Sequence, residues 1–584
     1  MRFLLGYGSC GIAAGADRLG ALGRILTESG KQLARAGCIG LCFAEPMLTV
    51  IDDEGHVHLY GYLTETNVEP LAEALARGEL PEQNRLSEAE TAFLTRQTRI
   101  ALRHCGLIDP ESLPDYRSVS GYEAFRQALS GPPQAVIDEV KLSGLAGRGG
   151  AGFPTWRKWQ ATRDAAGTPK YIVCNADEGD PGAFMDRSLL ESDPHAVLEG
   201  MLIAGYAVGA SEGLIYVRAE YPLAVHRLQV AIDELRTAGF AGENIQGSGF
   251  SFDFRLTKGA GAFVCGEETA LLASQEGGRG MPRPKPPFPA EAGYRGKPTS
   301  INNVETFANV PWILLNGGVE YAKLGTESAR GTKVFAMAGK VARGGLVEVP
   351  MGITPREIVF DICGGIRDGR PIKAIQMGGP SGGCLPDRLL DTPIDYASIS
   401  KTGAIMGSGG LIVMDDTTCM VDMARFFMEF TSHESCGKCT PCRIGTTRMH
   451  EMLDALCEGK GKPGDTEQLQ MLGETIRDGS LCGLGNSAPN PVLTTLRYFA
   501  DEYAAHIDEK RCPACACDAL VKYRILRDKC VGCSLCARKC PTDAITGEVR
   551  KPYEIDPAKC IGCGACEAAC RFAAIERYSG EGAQ

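Results

Sequence analysis

The chain of 584 residues has no uninterrupted apolar run of transmembrane length and no excess of basic residues. Its formal net charge is -11. Nucleic acid and anionic membrane surfaces reward basic patches, so neither is an expected partner. The start, MRFLLGYGSC, has too short an apolar core for a secretory signal, and a cytoplasmic protein is expected. The chain also lacks a Walker A run and a G-x-G-x-x-G turn after a clear strand. What it has in abundance is cysteine, 25 residues. In the cytoplasm that points to metal ligation rather than disulfides. Cys105, Cys174, Cys265, Cys363 and Cys384 stand alone and are expected to be buried apolar thiols.

Most of the other cysteines come in runs. CVGCSLCARKCP supplies Cys530, Cys533, Cys536 and Cys540, and CIGCGACEAAC supplies Cys560, Cys563, Cys566 and Cys570. Each reads C-x2-C-x2-C-x3-C, and the pair resembles the bacterial two-cluster ferredoxin. In that family the fourth cysteine of each run ligates the other cluster. The resemblance implies one 4Fe–4S site on Cys530, Cys533, Cys536 and Cys570. It implies a second on Cys560, Cys563, Cys566 and Cys540. Arg571 stands where proline is usual, but proline is not a ligand. Such a tail passes electrons singly and makes no bonds, so it needs a source. A third trio, Cys436, Cys439 and Cys442 in ESCGKCTPCR, lacks a fourth ligand nearby.

GLAGRGGAGFPTWRKW (144–159) lets a backbone approach a ligand closely and offer its amides to phosphate. YIVCNADEGDPGAF (171–184) is a short buried strand running into an acidic turn. GAGAFVCGEETALL (259–272) and INNVETFANV (301–310) follow. Each alone is as much a structural loop as a site. In this order they resemble the NADH-binding flavoprotein subunit of respiratory complex I and its relatives in NAD-linked hydrogenases and formate dehydrogenases. The resemblance implies that Gly147, Arg148, Gly149, Gly150, Lys158, Asn175, Asp177, Asn302 and Asn303 cradle FMN. Phe153 and Phe288 match aromatic residues that stack on the dinucleotide, and Glu267 and Glu268 match adenosine-binding acids. Two carboxylates at the ribose would repel a 2′-phosphate, so NAD is favoured over NADP. Glu178 and Asp180 are the candidate catalytic acids near the flavin. Asp180 stands where complex I has glutamate and points towards the hydrogenase-type relatives. Phe263 and Trp156 also depart, from a usual tyrosine and a usual small residue. By the same resemblance the trio at Cys436 is completed by Cys482, in SLCGLG.

The N-terminal stretch, with Cys10, Cys38 and Cys42, resembles thioredoxin-like 2Fe–2S ferredoxins. One of that family's four cysteines falls near Leu5 or Gly6 and is missing. Either water or a non-cysteine residue completes a 2Fe–2S site, or the domain kept only the fold for docking. His506, Cys512, Cys515 and Cys517 in HIDEKRCPACAC, and Cys457 in LCEGKG, belong to no cluster run. Zinc suits three thiolates and an imidazole. The expected ligands are Cys457, His506, Cys512 and Cys517, with Cys515 as a substitute, against spare thiols in a loop.

The expected fold is multidomain, α/β and α+β. It comprises a thioredoxin-like ferredoxin domain (1–80), a helical connector (81–135) and an FMN- and NADH-binding α/β core (136–329). A ubiquitin-like β-grasp unit (330–405), a helical bundle with a 4Fe–4S cluster (406–511) and a two-cluster ferredoxin-like domain (512–584) follow. The expected protein is the NADH:FMN electron-transfer subunit of a cytoplasmic NAD-dependent hydrogenase, bifurcating electrons with ferredoxin. The alternatives are a subunit of a formate dehydrogenase or of a ferredoxin:NAD transhydrogenase, or a flavin-free adaptor. No run resembles a hydrogen-activating or molybdenum site. A hydrogenase or other redox catalytic subunit, a small 2Fe–2S thioredoxin-like subunit and ferredoxin are therefore the expected partners.

Overall fold

The computed structural model describes residues 1–580; residues 581–584, the end of the expected C-terminal domain, lie outside the described residues. The chain forms two compact units. The first holds Met1–Gly369, Ile375–Gly379 and Arg388–Val413, and the second holds Arg370–Ala374, Pro380–Asp387 and Met414–Gln584. Among the described residues no helix is long and apolar enough to cross a membrane.

The first unit begins with a small sheet. Strands β1 (Arg2–Gly6), β2 (Leu33–Ala36), β3 (Leu48–Ile51) and β4 (Val57–Tyr60) lie in the order β2-β1-β3-β4. The β1–β2 pair is parallel and the others are antiparallel. Phe3, Leu5, Leu48 and Val50 point to one face, as the two-residue period of a strand requires, and meet Leu22, Leu26, Leu71 and Leu75 from two helices. Each such burial is worth about 1.5–3 kcal/mol.

The larger part of the first unit is built on a parallel sheet. Strands β5 (Tyr171–Ala176), β6 (Glu212–Arg218), β7 (Asp253–Gly259) and β8 (Thr299–Asn303) lie in the order β7-β6-β5-β8. YIVC and GLIYV are nearly continuous apolar runs, the pattern of strands covered on both faces. The helix Pro194–Val208 is buried along almost its whole length. It starts where the Asp193 side chain accepts the Ala196 N–H and stops at Gly209, whose φ of 80° suits glycine. The register sets Asn175 beside Asn303 and Cys174 beside Asn302. The carboxyl ends of neighbouring strands thus bring the expected amides together, where parallel sheets bind ligands.

Residues 81–135 differ from the expected connector. Ile100, Leu102, Tyr116 and Phe125 are buried in the same core as the sheet. Ile100, Ala101 and Leu102 donate their backbone N–H groups to the buried carboxylate of Glu348. Their apolar residues are spread over short helices, so no long amphipathic period announced the burial. Further along, Thr332–Gly339 pairs antiparallel with Gly345–Pro350 and parallel with the strand that starts at Gly410.

The second unit contains the helices Met420–Glu434, Thr440–Cys457, Asp465–Gly479, Asn490–Tyr498 and Ala500–Ile507. Met420 and Phe427 are fully buried, so this face of the first helix serves packing. In the C-terminal part Lys522–Ile525 pairs antiparallel with Ile575–Tyr578, and Ile545–Thr546 with Glu554–Ile555. The short helices Leu535–Lys539 and Ala565–Ala569 each carry the third cysteine of a run. The five lone cysteines are all buried.

Candidate functional site

The glycine loop is held against the strand ends by close backbone contact. A Cβ at Gly150, where φ is 117°, would lie 2.9 Å from the backbone of Gly407, and one at Gly149 would lie 3.2 Å from Asn303. Only glycine fits. Arg148 does not reach outwards. Its fully buried guanidinium donates to the carbonyls of Thr332, Ala146 and Arg330 and to the Tyr321 hydroxyl. These bonds fasten the loop. The Gly147 N–H is likewise used, on the Phe153 carbonyl, and its own carbonyl accepts the Tyr396 hydroxyl.

The amides at the strand ends are also tied down. Asn175 donates to the Gly266 carbonyl and accepts the Asp177 N–H. Asn302 accepts the Trp159 indole N–H at 2.9 Å. Asn303 caps the helix Val304–Asn316 through the Glu305 N–H and donates to Asp186. Asp177 is buried.

The two candidate acids part company. Glu178 accepts the N–H groups of Asp186 and Arg187 at the start of the helix Met185–Ser192, and the Tyr221 hydroxyl as well. Its carboxylate anchors that helix. The Asp180 carboxylate accepts the Ser408 hydroxyl at 2.6 Å. Burial pushes its carboxyl up to about 6; the Ser408 bond opposes this and the charge of Glu178 adds to it.

Charge at the site comes from residues on neighbouring elements. Lys158 donates to the Ile301 carbonyl at 3.3 Å and lies 3.5 Å from Glu268. Arg218, at the carboxyl end of β6, has a buried Nη1 with no hydrogen-bond partner. That nitrogen lies 2.5 Å from where a Cβ of Gly179 would stand. An orphaned guanidinium N–H and a lysine beside the acidic turn fit an anionic, acceptor-rich ligand, and FMN has that chemistry. Sequence reasoning missed Arg218 and Ser408; the one signal was the place of Arg218 at a strand end in YVRAEYP.

Glu267 and Glu268 open the helix Glu268–Gln275. Glu267 caps it, accepting the N–H groups of Thr269 and Ala270 at 2.9 Å. Glu268 pairs with Lys285 at 2.7 Å and with Lys158. Burial opposes its charge, yet the two lysines hold its carboxyl below the usual range. Phe153 and Phe288 are 47% and 53% exposed, with ring faces open to a ligand.

The cysteines fall into several groups. Cys530, Cys533, Cys536 and Cys570 line one small cavity, and Cys540, Cys560, Cys563 and Cys566 line another. The fourth cysteines cross over. The charges of Cys439, Cys482 and Cys436 act on Cys442, whose thiol burial pushes up to about 11. The four therefore lie near one another, with Cys439 and Cys482 each placed just before a helix. The expected zinc set changes by one member. Cys419, His506, Cys512 and Cys517 are all buried, with their ligand atoms within 4.8 Å of one another. Cys419 replaces Cys457, which ends the helix Thr440–Cys457 outside this group. Cys419 stands just before the helix Met420–Glu434, where it was hidden in TTCM with no spacing signal. Cys515 is not in the group.

In the N-terminal sheet domain the sulfurs of Cys10, Cys38 and Cys42 also lie within 4.8 Å of one another. Glu45, which sequence reasoning passed over, places Oε1 3.5 Å from the Cys10 sulfur.

Comparison with known proteins agrees with this geometry. Residues 140–312 match the Nuo51 FMN-binding domain, residues 422–506 the NADH-ubiquinone oxidoreductase-F iron-sulfur binding region, and residues 529–574 a 4Fe-4S dicluster domain. The chain is 56% identical over 465 residues to the NADP-reducing hydrogenase subunit HndC of Solidesulfovibrio fructosivorans, covering 80% of this chain and 95% of that one. It is 45% identical over 415 residues to the F 2 subunit of NADH-quinone oxidoreductase from Rhizobium meliloti (strain 1021), covering 71% and 99%. The solved NAD+-reducing [NiFe]-hydrogenase in its H2-reduced state contains a similar chain, with a TM-score of 0.63 and 30% identity over 87% of this chain and 84% of that one. The chain belongs to the F-type family of NADH-quinone oxidoreductase subunits, with an FMN-binding domain and 4Fe-4S domains.

Proposed function

We propose that the chain is the NADH-oxidising electron-transfer subunit of an NAD-dependent hydrogenase complex that shares electrons with ferredoxin. The observation that carries this is the presence, on one chain, of a flavin-type site and a ferredoxin-like pair of crossed cysteine sets. The resemblance to the hydrogenase subunit HndC supports the hydrogenase class. FMN, when bound, takes a hydride from the nicotinamide and releases electrons one at a time. Lys158 and Arg218 would hold its negative charge, and the exposed rings of Phe153 and Phe288 would stack on the dinucleotide. Asp180 holds or yields a proton near pH 6. The Cys436 set and the two crossed sets would hold iron–sulfur clusters, which would supply single-electron transfer to a partner, a catalytic subunit or a small 2Fe–2S thioredoxin-like subunit.

The zinc reading is kept with corrected ligands: Cys419, His506, Cys512 and Cys517. His506 directs Nδ1 to the Glu502 carbonyl at 2.7 Å. This leaves Nε2 facing the sulfurs of Cys419 and Cys517 at 3.5 and 3.4 Å. A backbone partner on the far nitrogen is how ligand histidines are oriented. Four protein ligands leave no open position, so the role is structural.

A second reading concerns the nucleotide. Both acids thought to reject a 2′-phosphate contact Lys285, and Glu268 also meets Lys158. The pair therefore brings little net negative charge, which favours some use of NADP. Anaerobic purification of the full chain tests the main proposal. FMN absorbance, NADH-driven dye reduction and a co-purifying hydrogenase catalytic subunit are expected. A colourless chain without dye reduction overturns it in favour of a flavin-free adaptor. A co-purifying formate dehydrogenase subunit overturns the hydrogenase assignment.

A further inference from the structure

The three N-terminal thiols have a fourth companion that spacing could not show. Cys10 sits in the helix Ser9–Ala14 after β1, Cys38 and Cys42 in the loop after β2, and Glu45 shortly before β3. The Cys38 and Cys42 sulfurs are 3.7 Å apart. A tetrahedral zinc ion with Zn–S bonds of about 2.3 Å holds its sulfurs about 3.8 Å apart. A two-iron cluster divides its ligands between two metals and spreads them further than three sulfurs lying mutually within 4.8 Å.

The Glu45 carboxylate stands beside this trio, on the Cys10 side. Its Oε1 lies 3.5 Å from the Cys10 sulfur. Its Oε2 is buried and has no hydrogen-bond partner. A buried carboxylate oxygen left unpaired is costly, and a cation removes the cost. The room for it is provided by glycine: a Cβ at Gly6 or at Gly11 would come within 3.1 Å of Oε2. The carboxylate therefore fills the space beside the stretch where the fourth cysteine of a thioredoxin-like ferredoxin would fall.

We propose that Cys10, Cys38, Cys42 and Glu45 bind a single tetrahedral metal ion, zinc by the softness of three thiolates. The ion ties the loop 38–45 to the first strand–helix turn and carries no electrons, since zinc has no accessible second oxidation state. The inference does not rest on the flavin assignment.

The test uses the full-length chain purified anaerobically. Anomalous diffraction at the zinc edge should place a peak among Cys10, Cys38, Cys42 and Glu45. Cys42→Ser should lose about one zinc per chain with iron content unchanged, and Glu45→Gln should surrender that zinc to a chelator about 10- to 100-fold faster. The zinc-edge map is read on the unaltered protein, so a variant that fails to fold does not decide the matter. No zinc peak at this position overturns the proposal. So does an iron-edge peak there, or a loss of about two irons from Cys42→Ser together with the electron paramagnetic resonance signal of a reduced two-iron cluster.

Discussion

The ferredoxin-like segment and the flavin-type site hold their chemistry in opposite ways. Between Cys530 and Cys570 every cysteine singled out by spacing lines one of two cavities. Between Gly147 and Asn303 many polar residues singled out by resemblance brace the fold. Arg148 fastens a loop, Glu178 anchors one helix, Glu267 caps another, and Asn303 a third. In the first region the ligands are the structure, because a segment so short has little other core. In the second the sheet already supplies a core, and polar side chains are free to brace the backbone that a ligand would meet. The proposed function assigns direct contact to a smaller set, Lys158, Asp180, Arg218, Phe153 and Phe288.

The sharpest way to break this comparison is to remove the segment. Deleting residues 520–584 should leave NADH-to-dye activity near its full value and abolish electron transfer to ferredoxin. It spares Cys419, His506, Cys512 and Cys517 and every residue of the flavin-type site. Unchanged ferredoxin reduction by the truncated chain would sink the division of labour.

Next in size is the pair of acids. Asp180 is an acid with a raised pKa, so it opposes folding once the unfolded chain has released its proton. The cost begins near pH 4, grows to about pH 6, and stays constant above. Asp180→Asn should therefore stabilise the flavin-free chain at pH 7 by about 2–3 kcal/mol, and the gain should vanish towards pH 4. Glu178→Gln should do the reverse and destabilise, by about 1–3 kcal/mol, because it breaks a helix anchor. Thermal melts across that pH range check both signs, and equal behaviour of the two variants would erase the distinction between them.

His506→Ala should remove about one zinc per chain while iron content holds, since its Nε2 faces two sulfurs of a closed set. Metal analysis decides it, and a full zinc complement in the variant would show that the set binds no ion. The smallest effect is expected at the nucleotide acids. Glu267→Gln should shift the NADPH-to-NADH ratio of kcat/KM upward by about tenfold, the scale of one charged contact. Lys285→Ala should move it the other way. A ratio that ignores both charges removes the acids from nucleotide selection.

The legible parts of this molecule share one property: function and position were fixed by the same few residues close in sequence. The crossed cysteine sets, the strand of Asn175 and the helices after residue 419 were of that kind. Cys419 was not, since it joins His506 from 87 residues away and has no neighbouring cysteine to mark it. Glu45 was invisible for the same reason, and because a carboxylate at a surface-looking position signals nothing. Arg148 and Glu178 were opaque in another way: the bonds they make to a loop and a helix could not be read from the sequence. A resemblance names which positions matter, but not whether a side chain faces the ligand or the core. The burial of residues 100–125 was not legible, since short helices can bury one apolar side chain per turn without a long period.

The crossing of Cys540 and Cys570 has a consequence for how the protein matures. Neither run can complete a site alone, so loading is a joint event. A chain starved of iron should be found with both crossed sites filled or both vacant, and a single nick between residues 541 and 559 should release the two together.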